Sequence, residues 1–326
     1  MTEVSEQKVK EAAIKIKCLK EMRDQLYKDP HNVSLRQEYA DLLNEEGYFN
    51  EAIEQYKYLI ALIPNESSLH YNLGVTYEKA NNLEEAMNSY KTSIKLEPEF
   101  SDAHYNLGYL YDRQGNLLPA LQEYQRTIEL DPKDSNAHFN LGCVLSKMGQ
   151  NGEAIKYLNI AIKLNPRDEY AYFYLGYELQ NIGKLDQAMK AYRQVLKINP
   201  DYSWAHFNMG YIYLTRGEIN KAYEEFKDTY YLNPDDDSAL EKLIEVGIQC
   251  NNFDEILDIL EDIVVDDPLD AFAHMNIADI YYKQGEYEDS LHHFKQALNS
   301  PRLSEYEIDS NLLRSRMNDL QSKLKK

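Results

Sequence analysis

The sequence predicts an all-α chain of tandem helix pairs, an α-solenoid, and two regularities predict it. Eight of the ten prolines, Pro30, Pro64, Pro98, Pro132, Pro166, Pro200, Pro234 and Pro268, recur every 34 residues without a slip; Pro301 follows one residue early and only Pro119 is out of phase. Eleven of the thirteen glycines occupy two places in the same period. Gly74, Gly108, Gly142, Gly176 and Gly210 share one, and Gly47, Gly115, Gly149, Gly183, Gly217 and Gly285 share the other. A fixed period of this length marks stacked units, none of which can bury its apolar face alone.

Each period reads as two helices. In the unit beginning at Ser67 the first is SSLHYNLGVTYEKA and the second LEEAMNSYKTSIKLEP. Apolar residues fall at helical spacing in both: Leu73 and Tyr77, then Ala86, Tyr90 and Leu96. Gly74 lets the second helix approach the first, and Asn81, where most units have Gly, makes a turn suited to positive φ. Pro98 cannot continue a helix and ends the unit. Pro119 falls in the first turn of its helix, where a missing N–H costs little.

Composition narrows the function. The chain has 326 residues, 28% of them charged, and a net charge of −20. That balance disfavours nucleic acid, whose phosphates need Lys and Arg, and disfavours docking on anionic membranes. Cys18, Cys143 and Cys250 have neither metal-ligand nor disulfide spacing. The first residues contain no uninterrupted apolar run of a signal peptide, and no stretch approaches a membrane span. A soluble, cytoplasmic protein without a cofactor is expected.

The periodic residues resemble the tetratricopeptide repeat, with its large residue, Leu-Gly, Tyr, Ala, aromatic and Pro. The pattern stands here as His70, Leu73-Gly74, Tyr77, Ala86, Tyr90, Pro98. It recurs as His104, Leu107-Gly108, Tyr111, Ala120, Tyr124, Pro132, and as His206, Met209-Gly210, Tyr213, Ala222, Phe226, Pro234. The resemblance implies a right-handed superhelical α-solenoid of eight repeats over 33–302: 33–66, 67–100, 101–134, 135–168, 169–202, 203–236, 237–270 and 271–302. The seventh is atypical, because Gly247 and Ile256 stand where Tyr and Ala are expected, and looser packing is expected there. The first has Tyr39-Ala40 in place of Leu-Gly. Flanking segments 1–32 and 303–326 read as capping helices, which a solenoid needs to cover its terminal apolar faces. Ala12, Ile16, Leu19, Met22 and Leu26 lie along one side of the first, and Tyr306, Leu313, Met317, Leu320 and Leu324 along the second.

Residues that could do chemistry are mostly accounted for by the repeat. His70, His104, His138, His206 and His274 share one place in the period, one repeat apart, and so cannot converge on one metal; packing is the expected role. His292 and His293 are adjacent on a helix and point in different directions. No phosphate loop, nucleophile elbow or Cys-x-x-Cys occurs. The chain is therefore expected not to be an enzyme. A heat-shock co-chaperone clamp is disfavoured too, since Tyr71, Val75, Tyr105 and Tyr109 stand where its Lys and Asn would.

In the resembling family the first helix of each unit lines a concave groove. Asn72, Asn106, Asn140, Asn208 and Asn276 share one place on it, and in the similar solenoid of the protein O-linked sugar transferases such a ladder holds an extended peptide. A primary amide suits this, offering donors and an acceptor to a peptide bond. Units five and six add aromatics: Tyr170, Phe173, Tyr174 and Tyr177 on one helix face, and Trp204, Phe207 and Tyr211 on the same face of the next. From Asp235 to Asp270 thirteen acidic residues face one base, Lys242. Asp254, Asp258, Glu261 and Asp262 are placed on an outer face, and Glu241 and Glu245 on the groove side.

These features predict a non-catalytic interaction scaffold that binds an extended peptide or helix of a partner protein carrying a basic segment. A regulatory subunit or assembly unit docking through the convex face or the ends is the alternative, and homo-oligomerisation is not indicated. A compact chain of this length has a radius of gyration of ~20 Å. The superhelix is expected to give a clearly larger value in small-angle scattering, and a value near ~20 Å would exclude it.

Overall fold

Helices form where the pattern places apolar residues at three- and four-residue spacing, and they stop where Gly or Asn takes a left-handed turn and where the periodic proline stands. The computed structural model describes the backbone of residues 3–301, 303 and 309–324, with side chains described from residue 13 onward. Helix α1 (Glu3–Lys28) precedes eight pairs: α2 (Val33–Glu45) with α3 (Phe49–Leu62), α4 (Ser67–Lys79) with α5 (Leu83–Leu96), α6 (Ser101–Arg113) with α7 (Leu117–Leu130), and α8 (Ser135–Lys147) with α9 (Asn151–Leu164). The series continues with α10 (Glu169–Asn181) and α11 (Leu185–Ile198), α12 (Ser203–Thr215) and α13 (Ile219–Leu232), α14 (Asp237–Cys250) and α15 (Phe253–Asp266), and α16 (Ala271–Gln284) and α17 (Tyr287–Asn299); α18 (Ser310–Leu324) follows. No strand occurs among the described residues. The chain divides into two compact units, 1–178 and 179–326, each a stack of helix pairs.

Close approach inside a pair rests on the helical glycine. A Cβ on Gly74 would lie 2.6 Å from the Tyr90 ring, one on Gly142 2.9 Å from Leu158, and one on Gly210 2.9 Å from Phe226. Each partner ring or side chain is wholly buried. The turns behave as the pattern requires: Asn81 has φ of 61° and Gly115 of 75°.

The seventh pair uses the same logic with volumes exchanged. Gly247 and Ile256, read from sequence as a loss of the pattern, meet each other. A Cβ on Gly247 would lie 2.6 Å from Ile256 Cγ1 and 3.0 Å from the Tyr223 ring. The large residue has moved to the second helix and the small one to the first, so the two helices meet at this point. Even so, α14 and α15 lie against each other over far fewer residues than pairs such as α4–α5 or α12–α13, the looser packing expected there.

The periodic histidines do more than pack. In four units the ring Nε2 lies against the carbonyl of the proline six residues earlier: His70 to Pro64 at 3.0 Å, His104 to Pro98 at 3.2 Å, His138 to Pro132 at 3.1 Å and His274 to Pro268 at 3.2 Å. The imidazole N–H thus latches each first helix to the turn that enters it and satisfies a carbonyl the proline turn leaves over. The other nitrogen meets a residue of the second helix that differs between units. It faces Glu123 from His104 at 2.6 Å and His293 from His274 at 3.0 Å, while the His138 ring stacks on Tyr157.

The flanking helices are amphipathic with narrower apolar faces than expected. In α1, Leu19 and Leu26 are buried and Met22 is half-buried, but Ile16 is exposed because only one side of the helix meets α2. In α18, Leu313 and Leu320 are buried against Phe294 and Ala297, while Leu324, at the last turn, is exposed. Tyr306 lies outside the described residues, as does the Ala12 side chain.

Two predictions follow from these contacts. Gly247→Ala overpacks the exchanged pair and is expected to cost about 1–3 kcal/mol. Ile256→Ala opens a cavity at a cost of about 2–4 kcal/mol. Chemical denaturation of the double variant should recover part of the summed loss, whereas strict additivity would mean that the two side chains do not share one space. The second concerns acid. Burial, His274 and His292 lower the pKa of His293 from 6.5 to about 4. Between those values the unfolded chain binds the extra proton, so stability is complete above pH ~6.5 and falls as pH drops towards 4. His293→Tyr, which copies the His138–Tyr157 pair, should flatten that part of the thermal-midpoint profile relative to wild type.

Candidate functional site

In the first unit the first helices of successive pairs touch, α4 with α6 and α6 with α8, through candidate site residues. The amides of the asparagine ladder are partly spent on the protein itself. Asn106 donates to the Tyr71 hydroxyl at 3.3 Å and Asn140 to the Tyr105 hydroxyl at 2.9 Å, each reaching the preceding repeat. Asn208 and Asn276 donate to carbonyls of their own helices, Trp204 at 2.7 Å and Phe272 at 2.9 Å. All four, and Asn72, are half-buried. Sequence spacing alone could not show this use, because the tyrosine partner sits 35 residues away.

The exchange at the fifth repeat follows from the same pairing. Phe139 has no hydroxyl to accept an amide hydrogen, and the residue facing it is Tyr174 rather than Asn. Their rings meet edge to face at 5.6 Å, and Phe173 meets Tyr174 at 5.8 Å. Tyr174 is thereby half-buried, an aromatic substitute for the Tyr–Asn hydrogen bond. Tyr170 and Tyr177 on the same helix stay exposed, at 54% and 43%. Nearby, Lys147 joins α8 to α6 through both oxygens of Asp112 at 2.8 Å.

In the second unit the aromatic series on α12 is ordered by its own contacts. Trp204 meets Phe207 edge to face at 5.5 Å, and Phe207 meets Tyr211 at 5.1 Å. Both Phe207 and Tyr211 rest on the buried Phe226, at 5.6 and 5.5 Å. Trp204, at the end of this series, remains 49% exposed. Such offset contacts orient rings without covering them.

The acidic segment is less uniform than its composition. Asp254, Asp258, Glu261 and Asp262 are exposed, as expected. Several others have structural work. Asp236 caps α14 and Asp270 caps α16, each accepting a backbone N–H. Glu255 accepts from the Tyr223 hydroxyl at 2.6 Å and pairs with Lys227 at 2.9 Å; the hydrogen bond from Tyr223, followed by Lys227, lowers its pKa. Glu241 and Glu245 are exposed on α14, and Glu245 pairs with Lys242 at 2.6 Å. Lys242 also stands over the Tyr211 ring at 5.9 Å, tying α14 to the aromatic series.

Comparisons with known proteins agree with this architecture. Family models described as "TPR repeat" match residues 77–115 and 180–217, and models described as "Tetratricopeptide repeat" match 101–134, 123–156, 205–236 and 271–299. No curated protein matches significantly. Among solved structures, YrrB, titled "a TPR protein with an unusual peptide-binding site", is 26% identical, with a TM-score of 0.52 over 57% of this chain and 96% of its own. The C-terminal part of a TPR repeat-containing protein from Cytophaga hutchinsonii shares the fold at 17% identity and a TM-score of 0.56, over 81% of this chain and 95% of its own. A Pseudomonas aeruginosa pilF structure does so at 17% and 0.53, over 67% and 97%. No helix among the described residues is long and apolar enough to cross a membrane. Repeat models spread along the chain, and the helix pairs that carry the signature, establish that it belongs to the tetratricopeptide-repeat family.

Proposed function

We propose that this protein is a non-catalytic scaffold whose first-helix faces hold an extended segment or helix of a partner protein. The observation that carries the reading is Trp204, the one tryptophan of the chain, half exposed at the end of an ordered aromatic series. A large ring held in place but left in water forgoes burial in the folded monomer, and Trp and Tyr so placed are the residues that dominate interface energy. In the first unit, exposed Tyr170 and Tyr177 offer a similar apolar surface beside Phe173 and the packed Tyr174. The ladder asparagines keep a second N–H and a carbonyl for a ligand backbone. In the second unit, Glu241 and Glu245 flank the aromatic series and favour Lys or Arg beside an aromatic or apolar anchor. YrrB, with its peptide-binding site, supports a peptide as the ligand. A reducing compartment such as the cytoplasm suits the free cysteines; burial pushes the Cys143 thiol up to about 12, so it is inert as a nucleophile.

The lone tryptophan makes the reading measurable. A partner is to be captured from native lysate and its docking segment mapped, after which binding is followed by Trp204 fluorescence, expected to shift to the blue as the ring is covered. Trp204→Ala is expected to weaken binding by about 2 kcal/mol or more, within the range of interface hot spots, with helicity unchanged. If it instead lowers stability by several kcal/mol and leaves affinity intact, the ring is a packing residue and the proposal fails. Glu241→Lys with Glu245→Lys should slow association and flatten its salt dependence, chiefly through Glu241, since Lys242 already offsets Glu245.

A further inference from the structure

The histidine latch has a variable side, and in the sixth repeat that side has the composition of a metal site. His206 Nδ1 lies 2.8 Å from Glu225 Oε2 and 3.7 Å from Asp228 Oδ2. One donor atom from each of the three residues lies within 4.8 Å of the others. Glu225 and Asp228, three residues apart on α13, share one helix face, and α12 brings His206 against it. We infer that His206, Glu225 and Asp228 form a binding site for a divalent cation of the zinc class.

Three observations besides the grouping support the assignment. The first is geometry. Tetrahedral zinc with ligands at about 2.0–2.2 Å holds its donor atoms roughly 3.3–3.6 Å apart. The two distances from Nδ1 straddle that value, and small turns of the Glu225 and Asp228 side chains would bring each to it. The second is the fixing of the ring. The Pro200 carbonyl stands beside the His206 imidazole. With Nδ1 facing the carboxylates, Nε2 is the nitrogen turned towards that carbonyl, as in the four latched repeats. This directs the Nδ1 lone pair towards the cation, as backbone carbonyls do for metal-ligating histidines. One imidazole and two carboxylates suit zinc, and cobalt as its substitute, better than calcium or magnesium.

The third is the comparison of the repeats with one another. His104 has the same partner type, Glu123 at 2.6 Å, but the place of Asp228 is taken there by Arg126, which pairs with Glu129 and offers no ligand. His138 faces Tyr157 and His274 faces His293. Only the sixth repeat sets a second carboxylate beside the pair. Among the described residues neither Glu225 nor Asp228 pairs with a Lys or Arg; His206 is the partner of both. The His206 and Glu225 side chains are sheltered, at 16% and 15% exposure, while Asp228 at 58% leaves an entry from solvent and room for water as a fourth ligand.

The test is titration of the metal-free full chain at neutral pH with Zn2+ by calorimetry, and with Co2+ by its visible absorption. Wild type should take up one ion per chain with a tetrahedral or five-coordinate cobalt spectrum. Asp228→Arg copies the third repeat at an exposed position and so keeps the fold, checked by circular dichroism. It should weaken that uptake at least tenfold, and His206→Gln should abolish it. Zinc should also raise the thermal midpoint of wild type and not of Asp228→Arg. Coincident titrations of wild type and Asp228→Arg would assign any uptake to other residues and overturn the site. So would the absence of uptake by wild type at millimolar metal.

Discussion

Most of the repeats in this structure depend on the close approach of two helices at a residue without a Cβ. Gly74, Gly142 and Gly210 each lie where a methyl group would strike a buried side chain of the facing helix. That approach sets the pair as the rigid element, and the pair sets what the next pair can bury. In the seventh repeat Ile244 stands at that place, and a glycine three residues later, Gly247, meets Ile256 instead. The two helices of that repeat lie against each other over fewer residues than those of the second or sixth repeat, which keep the pattern.

Pairs are joined through polar contacts that repeat with the same period. The histidine latch ties four of the first helices to the proline turn before them, and two tyrosine–asparagine bonds tie one first helix to the next. These contacts explain why residues that look like ligand-binding groups recur so regularly. The amides and imidazoles hold the frame first, and only what they leave over is offered outward. The leftover is not the same in every repeat: a half-covered tryptophan on α12, two open tyrosines on α10, and a second carboxylate beside His206 are local departures from a common scheme.

The acidic segment illustrates the same economy. Caps, a tyrosine hydroxyl and two lysines use Asp236, Asp270, Glu255 and Glu245. What remains exposed is Asp254, Asp258, Glu261, Asp262 and Asp266 on α15, Asp237 and Glu241 on α14, and Asp235 before it. Counting charges along the chain overstates the field that a partner would meet.

Periodicity by itself determined the helices, their pairing and the turns, because hydrophobic spacing, glycine and proline act locally and the 34-residue interval repeats that local information eight times. It also indicated which face of each first helix was unusual, since Tyr170 and Trp204 break a pattern visible in one dimension. Tertiary structure alone decided how each candidate residue is used. Asn140 meets Tyr105, Tyr174 meets Phe139, and His206 meets Glu225 and Asp228 across distances that no helical period specifies. The physical reason is that a side chain's partner is set by the packing of neighbouring helices, and so by the volumes at their junctions, rather than by its own place in the repeat.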